Sequence, residues 1–191
     1  MEQKNQFTKV KIIAAASLII FGAISRYLLK DLPNVETITA VSLLAGSLLG
    51  GVWTLVVGLV TVALSDIFIG NSSILLYTWS AWAVMGVFGW LLCKRKKRAF
   101  WHSLELTGMG FLGNMFFYLW TNFGVWQEGW LYPGNFQGLL ASYVAGLPFL
   151  KMQLIGTAVI VPLVSLVAIL AWKYLPVRKN LKVFSVTQRI K

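Results

Sequence analysis

The sequence predicts an all-α, polytopic membrane protein with six transmembrane helices and one further helix at the membrane interface. Three observations predict it. Of 191 residues, 58% are hydrophobic and only 12% charged, with a mean hydropathy of +0.73, too little polar material to cover a water-soluble globule. Six charge-poor apolar stretches follow one another, most close to the roughly 20 residues that cross a bilayer as a helix. When these stretches alternate in direction, 14 of the 17 Lys and Arg fall on one side, as the positive-inside rule requires of a cytoplasmic face. Transmembrane β-strands would alternate apolar and polar residues over about ten positions, and no segment does so.

The first stretch, Ile12 to Leu29, follows basic residues and holds Ala14, Ala15, Ala16, Gly22 and Ala23, which imitates a secretory signal. Cleavage is not expected, because losing this helix would put the basic C-terminus outside. The second, Ile38 to Gly50, is short and meets the third, Trp53 to Ile69, across Gly50-Gly51, so the two form a tight helical hairpin. The fourth runs from Ile74 to Cys93, the fifth from Phe100 to Asn122 and the sixth from Gln153 to Trp172. The connection from Phe123 to Leu150 is too long for a passive turn, and Phe136 to Leu147 has helical apolar spacing closed by Pro148. It predicts an interfacial helix on the outer face. The whole chain, 1–191, forms one integral membrane domain.

Lys4, Lys9, Lys11, the run Lys94-Arg95-Lys96-Lys97-Arg98, Lys173, Arg178, Lys179, Lys182, Arg189 and Lys191 take the inner side, leaving Arg26, Lys30 and Lys151 outside. Both termini are therefore expected in the cytoplasm. Asp31, Glu36, Asp66 and Glu128 fall outside. Trp53, Trp90, Trp101 and Trp172 flank the inner boundary, and Trp120, Trp126 and Trp130 the outer one, as aromatic belts do.

Several motifs are better explained by the membrane than by chemistry. Gly108-Met109-Gly110-Phe111-Leu112-Gly113 matches a dinucleotide-binding pattern but lacks the strand before it, so these glycines are expected to pack helices. Gly46-Ser47-Leu48-Leu49-Gly50 suits close packing within the protein or against a partner. The net charge of +11 reflects topology and anionic lipid rather than a nucleic-acid partner. Asn71-Ser72-Ser73 is an accidental glycosylation triplet. One histidine and one cysteine exclude a His/Cys metal site and an internal disulfide, and no metal or cofactor is expected. His102 is expected at the inner interface, and Cys93 lacks a resolving partner. No serine lies in a nucleophile-elbow setting and no carboxylate pair lies in the apolar core, so an enzyme is not expected.

Polar side chains at membrane depth are costly unless satisfied, and here they converge in the outer half. Asn114, Tyr118 and Asn122 recur every four residues on the fifth helix, one stripe, with Thr121 beside it. Trp79 and Trp82 lie one to two turns below the outer boundary on the fourth. Gln153 and Thr157 share a face of the sixth. Trp82 and Asn114 reach a common depth of about 12 Å. The loop above adds Trp126, Glu128, Trp130 and Tyr132. Internal hydrogen bonding is the competing use of such groups, but aromatic walls with a few directed polar groups at one level favour an outward-open pocket for a small heterocycle. Asp66 and Arg26, at the outer ends of the third and first helices, either pair or contact the ligand.

The helical plan, with the stretches Thr39 to Gly46, Ala63 to Gly70, Phe116 to Trp126 (FFYLWTNFGVW), Tyr132-Pro133 and Gly138 to Phe149 (GLLASYVAGLPF), resembles an uncharacterised bacterial six-helix membrane family related to the S components of energy-coupling factor vitamin transporters. The resemblance covers about residues 20 to 165. It implies a substrate-binding subunit of the bacterial inner membrane that captures a vitamin-like nutrient and docks on a transmembrane coupling protein driven by two ATPases. The Ala-x-x-x-Ala docking pattern common on helix one of S components is missing here. Ala14, Ala15 and Ala16 are followed four residues later by Leu18, Ile19 and Ile20, and Ala15 and Gly22 offer a small-residue face instead. The alternatives are a non-transporting membrane scaffold of the cell-shape type and a stand-alone small-solute carrier.

Overall fold

A computed structural model describes residues 2–32, 34–70, 73–93 and 98–174, with the backbone alone for 2–4. The side chain of Lys4, the residues Asn71 and Ser72, the run Lys94-Arg95-Lys96-Lys97, and Arg178, Lys179, Lys182, Arg189 and Lys191 lie outside the described residues. The topology and glycosylation expectations resting on them lie there too.

The described residues form six α-helices and no strand. These are α1 (Glu2–Leu28), α2 (Ile38–Leu44), α3 (Trp53–Ile69), α4 (Leu75–Trp90), α5 (Ala99–Gln127) and α6 (Phe136–Tyr174). Two segments, Asn5–Leu28 and Phe136–Tyr174, are long and apolar enough to cross a membrane. The separate interfacial helix expected over Phe136 to Leu147 is instead the first third of α6, which runs unbroken through Pro148 and Pro162. Proline lacks only its own N–H and can sit in a helix whose neighbours compensate. The connection shrinks accordingly to residues 128–135, because α5 continues to Gln127. It turns at Gly129, φ +74°, and the Asn135 side chain accepts the Gly138 N–H at 2.9 Å as an N-terminal cap.

The short α2, which packs against α3 after the turn at Gly50-Gly51, is also the centre of the molecule. Residues 37–47 are all buried, with α1, α3, α4, α5 and α6 packed around them. Its end widens into a π-helical turn, Ala45–Leu49, closed by the Gly50 N–H on the Ala45 carbonyl at 3.0 Å. Lys11 donates to the Leu49 carbonyl at 2.5 Å, a cation where the helix dipole is negative. Glycines let α4 lie against this centre backbone to backbone. A Cβ on Gly46 would fall 2.1 Å from the Gly86 carbonyl oxygen, and one on Gly89 would fall 2.1 Å from that of Leu43. Gly110 and Gly113 likewise face Thr157 and Met85, so two of the three glycines in the nucleotide-like pattern make helix contacts.

Ala15 is buried in the apolar cluster of Val41, Ala45, Leu49, Val57 and Trp172, and Gly22 lies against Thr61 and Val41. The small-residue face of α1 therefore points into the protein. His102, expected at an interface, is 7% exposed, with Nε2 2.6 Å from the Ser47 hydroxyl and Nδ1 3.8 Å from Glu105. Serine, histidine and carboxylate in that order share only the outline of a nucleophilic triad. Ser47 is itself 6% exposed and neither side chain borders the cavity described below, so the pair ties α5 to the central helix.

Candidate functional site

The C-terminal ends of α1, α3 and α5 and the N-terminal ends of α2, α4 and α6 meet at one end of the bundle. Between them opens a cavity of about 490 Å³. Its aromatic wall comes from Trp82 of α4, Phe117 and Tyr118 of α5, Phe149 of α6 and Tyr132 of the connecting loop. Trp82 and Phe117 are in ring contact at 4.6 Å between centroids. Polar groups on the wall are Thr78, Thr121, Asn122 and Gln153, the last turn of α1 adds Arg26, and the segment joining α1 to α2 adds Lys30, Asn34 and Glu36.

α5 and α6 run antiparallel, and polar pairs set their register. Ser103 meets Ser165 at 2.7 Å and the Pro162 carbonyl at 2.9 Å. Asn114 donates to the Thr157 hydroxyl at 2.6 Å. Tyr118 donates to the Tyr143 carbonyl at 2.6 Å, and Ser142 to the Asn122 carbonyl at 2.8 Å. This register stacks Tyr118 and Asn122 beside Gly146 and Gln153 at the cavity. A Cβ on Gly146 would fall 2.5 Å from the Asn122 side-chain oxygen, so the missing side chain leaves room for that amide.

Of the residues singled out in the sequence, Trp82, Tyr118, Asn122, Tyr132, Gln153 and Arg26 come together on the cavity wall. Asn114, fully buried, and Thr157, 3% exposed, are not on the wall and hydrogen-bond each other. Trp79 stands beside the cavity and donates from Nε1 to Asp66 at 2.9 Å. Asp66 also forms an ion pair with Arg26, whose Nη1 reaches Ser65 at 2.6 Å as well. Trp126 donates to the Pro133 carbonyl at 3.0 Å, while Glu128 and Trp130 are exposed; none of the three lines the cavity.

Glu36 is an acidic wall residue that periodicity did not single out, because it lies in a connecting segment and its partial burial depends on α2 being central. Its carboxylate accepts the Thr39 amide at 3.0 Å and the Thr39 hydroxyl at 2.6 Å. The Thr39 hydroxyl oxygen lies 3.3 Å from Asn114, so the acid is joined to the α5–α6 network through one residue. Burial pushes the Glu36 carboxyl above its ordinary value, opposed by the bonds from Thr39 and Ile38 and by the nearby Arg26 charge. The available signal was Glu-x-x-Thr ahead of an apolar run, an acid three residues before a helical hydroxyl. Among the described residues no group of three or more His, Cys, Asp or Glu side chains could hold a metal ion.

A half-enclosed cavity with flat apolar walls and a few directed polar groups has the make-up of a small-molecule site. No curated protein and no solved structure matches the chain. One family model matches residues 6–179, and on that match the chain belongs to DUF6580, a family of unknown function.

Proposed function

We propose that this protein is the substrate-binding membrane subunit for uptake of a small vitamin-like or heterocyclic nutrient, similar in plan to the S components of energy-coupling factor transporters. The observation that carries the proposal is the cavity of about 490 Å³, a volume suited to such a molecule, bordered by Trp82, Phe117 and Tyr118 with amides at hand. In this reading all six helices cross the bacterial inner membrane, both termini are cytoplasmic and the cavity opens outward. The exposed apolar side chains of α1 and α6, such as Ile13, Leu28, Val159 and Leu163, support it, because a bundle in water would leave these patches uncovered. The asymmetry of Lys and Arg supports the orientation.

The ligand is tested by purifying the full chain in detergent and following tryptophan fluorescence and melting temperature against a panel of vitamins and heterocycles. A member of the panel binding better than millimolar, and more weakly to Trp82→Ala and Asn122→Ala, is the expected result. No ligand across a broad panel, or unchanged affinity in both variants, would defeat the proposal. A second reading, a stand-alone carrier, is favoured by the inward-facing Ala15 and Gly22, which leave α1 without an exposed small-residue face for a coupling protein. Co-purification with ATPases separates the two, as does uptake that survives loss of every candidate ATPase.

A further inference from the structure

We infer that the cavity recognises a planar nitrogen heterocycle through an N–H donor edge, with the Glu36 carboxylate as the acceptor and the Gln153 amide beside it. This rests on the cavity being a ligand site, as proposed above, and adds the chemistry of what it takes.

Two polar groups on the wall have capacity to spare. A carboxylate offers about four lone-pair positions; Thr39 donates twice to Glu36 and the Ile38 amide also bonds it, which leaves about one position open. Among the described residues no cation forms a salt bridge with Glu36. Arg26 is committed to Asp66 and Ser65, and Lys30 is exposed, 4.8 Å over the Tyr27 ring. Gln153 is 5% exposed and lines the cavity, yet no hydrogen bond joins its side-chain amide to another described residue; only its backbone carbonyl is used, by Asn114 at 3.5 Å. Its amide atoms are not among the fully enclosed ones without a partner, so they face the open cavity and are available to what fills it.

Both groups border the same cavity, and a relay of bonds links the segments that carry them. Glu36 is tied to Thr39, Thr39 approaches Asn114, and Asn114 reaches the Gln153 backbone. A carboxylate only accepts, whereas an amide both donates and accepts. Together they match a ring edge where an exocyclic amine or ring N–H adjoins a ring nitrogen. The Trp82 and Phe117 rings on the wall, packed against each other, suit a flat ring over a flexible aliphatic chain. An anionic group is disfavoured at this edge, because it would bring like charge to the Glu36 carboxylate; Arg26 and Lys30, elsewhere on the wall, are where an anion would settle instead.

The test uses full-length purified protein and three probes of similar size, 2-aminopyridine, 2-methylpyridine and benzoate. Tryptophan fluorescence and melting temperature are read at a pH where both pyridines are neutral. The expected result is that 2-aminopyridine binds at least about tenfold tighter than 2-methylpyridine, as one charge-assisted hydrogen bond provides. Glu36→Gln and, independently, Gln153→Met should shrink that ratio toward unity. If Glu36→Gln does not fold, the wild-type ratio and Gln153→Met still decide. Equal affinity for the two pyridines with weaker binding of both by Trp82→Ala overturns this inference and leaves the ligand site standing. Tightest binding of benzoate also overturns it. No response to any probe at millimolar concentration counts against both the inference and the ligand site.

Discussion

Replacing Gly86 with alanine is predicted to unseat α4 from the central helices. A Cβ there would stand 1.9 Å from the Thr54 carbonyl oxygen and 3.0 Å from its carbon. Ordinary contact begins near 3.4 Å, so the two backbones must part by about 1.5 Å. The obstacle is main chain at the start of α3 and cannot swing aside as a side chain could. Retreat of α4 is also opposed on its next turn, where Gly89 rests on the Leu43 carbonyl. Overpacking of this kind costs about 3 kcal/mol or more, which in a chain of this size lowers the melting temperature by roughly 6–12 °C. Gly108 is the matched control, with no atom within 4 Å of its would-be Cβ. There alanine adds up to about 1 kcal/mol of helix propensity, so melting should hold or rise. Both variants are melted in the same detergent by circular dichroism. If Gly86→Ala melts together with Gly108→Ala, the close approach of α4 to α3 is refuted.

The remaining predictions concern charged groups at the cavity end. Asp66 is 8% exposed and Arg26 25% exposed at the side chain, so removing one partner leaves the other's charge uncompensated, with Trp79 still bonded to Asp66 and Ser65 to Arg26. Arg26→Met or Asp66→Asn alone should cost about 2 kcal/mol, less than a fully buried pair because water screens Arg26. The double variant should recover part of this loss, and a double-mutant cycle of melting temperatures with no coupling would remove the ion pair from the account. Glu36 gives a pH signature. Its folded-state pKa is raised above the ordinary 4.5, so the folded protein holds the proton longer than the unfolded chain. Stability should therefore fall as pH rises from about 4.5 through the raised value, and Glu36→Gln should lose that slope. Parallel melting profiles of the two proteins across that range would show that the carboxyl is not held in the environment described.

Much of the helical framework was legible because helical periodicity is local. The starts of α2, α3 and α4 and the stripe Asn114, Tyr118, Asn122 follow from the spacing of apolar and polar residues within one segment. The boundary between α5 and α6 was less so. Pro148 reads as a terminator in isolation, yet packing along α5 carries α6 straight through it, and a 39-residue helix results. The candidate site divided in a similar way. Periodicity placed Tyr118, Asn122 and Gln153 on faces that meet Trp82 at one end, but it could not show that Asn114 and Thr157, on the same faces one turn deeper, bond each other below the cavity. Glu36 was missed for the opposite reason, since a residue between helices has no periodicity to reveal its burial.

The amino-acid sequence by itself determined a chain of helices rich in apolar surface, the approximate ends of most of them, and the placing of Arg26 and Asp66 at helix ends, where they would either pair or meet a ligand. The tertiary structure alone decided that α2 is enclosed, that Ala15 and Gly22 face inward, and that a cavity remains between α4, α5, α6 and the segment before α2. The physical reason is that lateral order among helices comes from close approaches between residues far apart in the chain, such as Gly46 with Gly86 and Leu43 with Gly89. Such approaches follow from the shape of two surfaces brought together, which no single stretch of sequence contains.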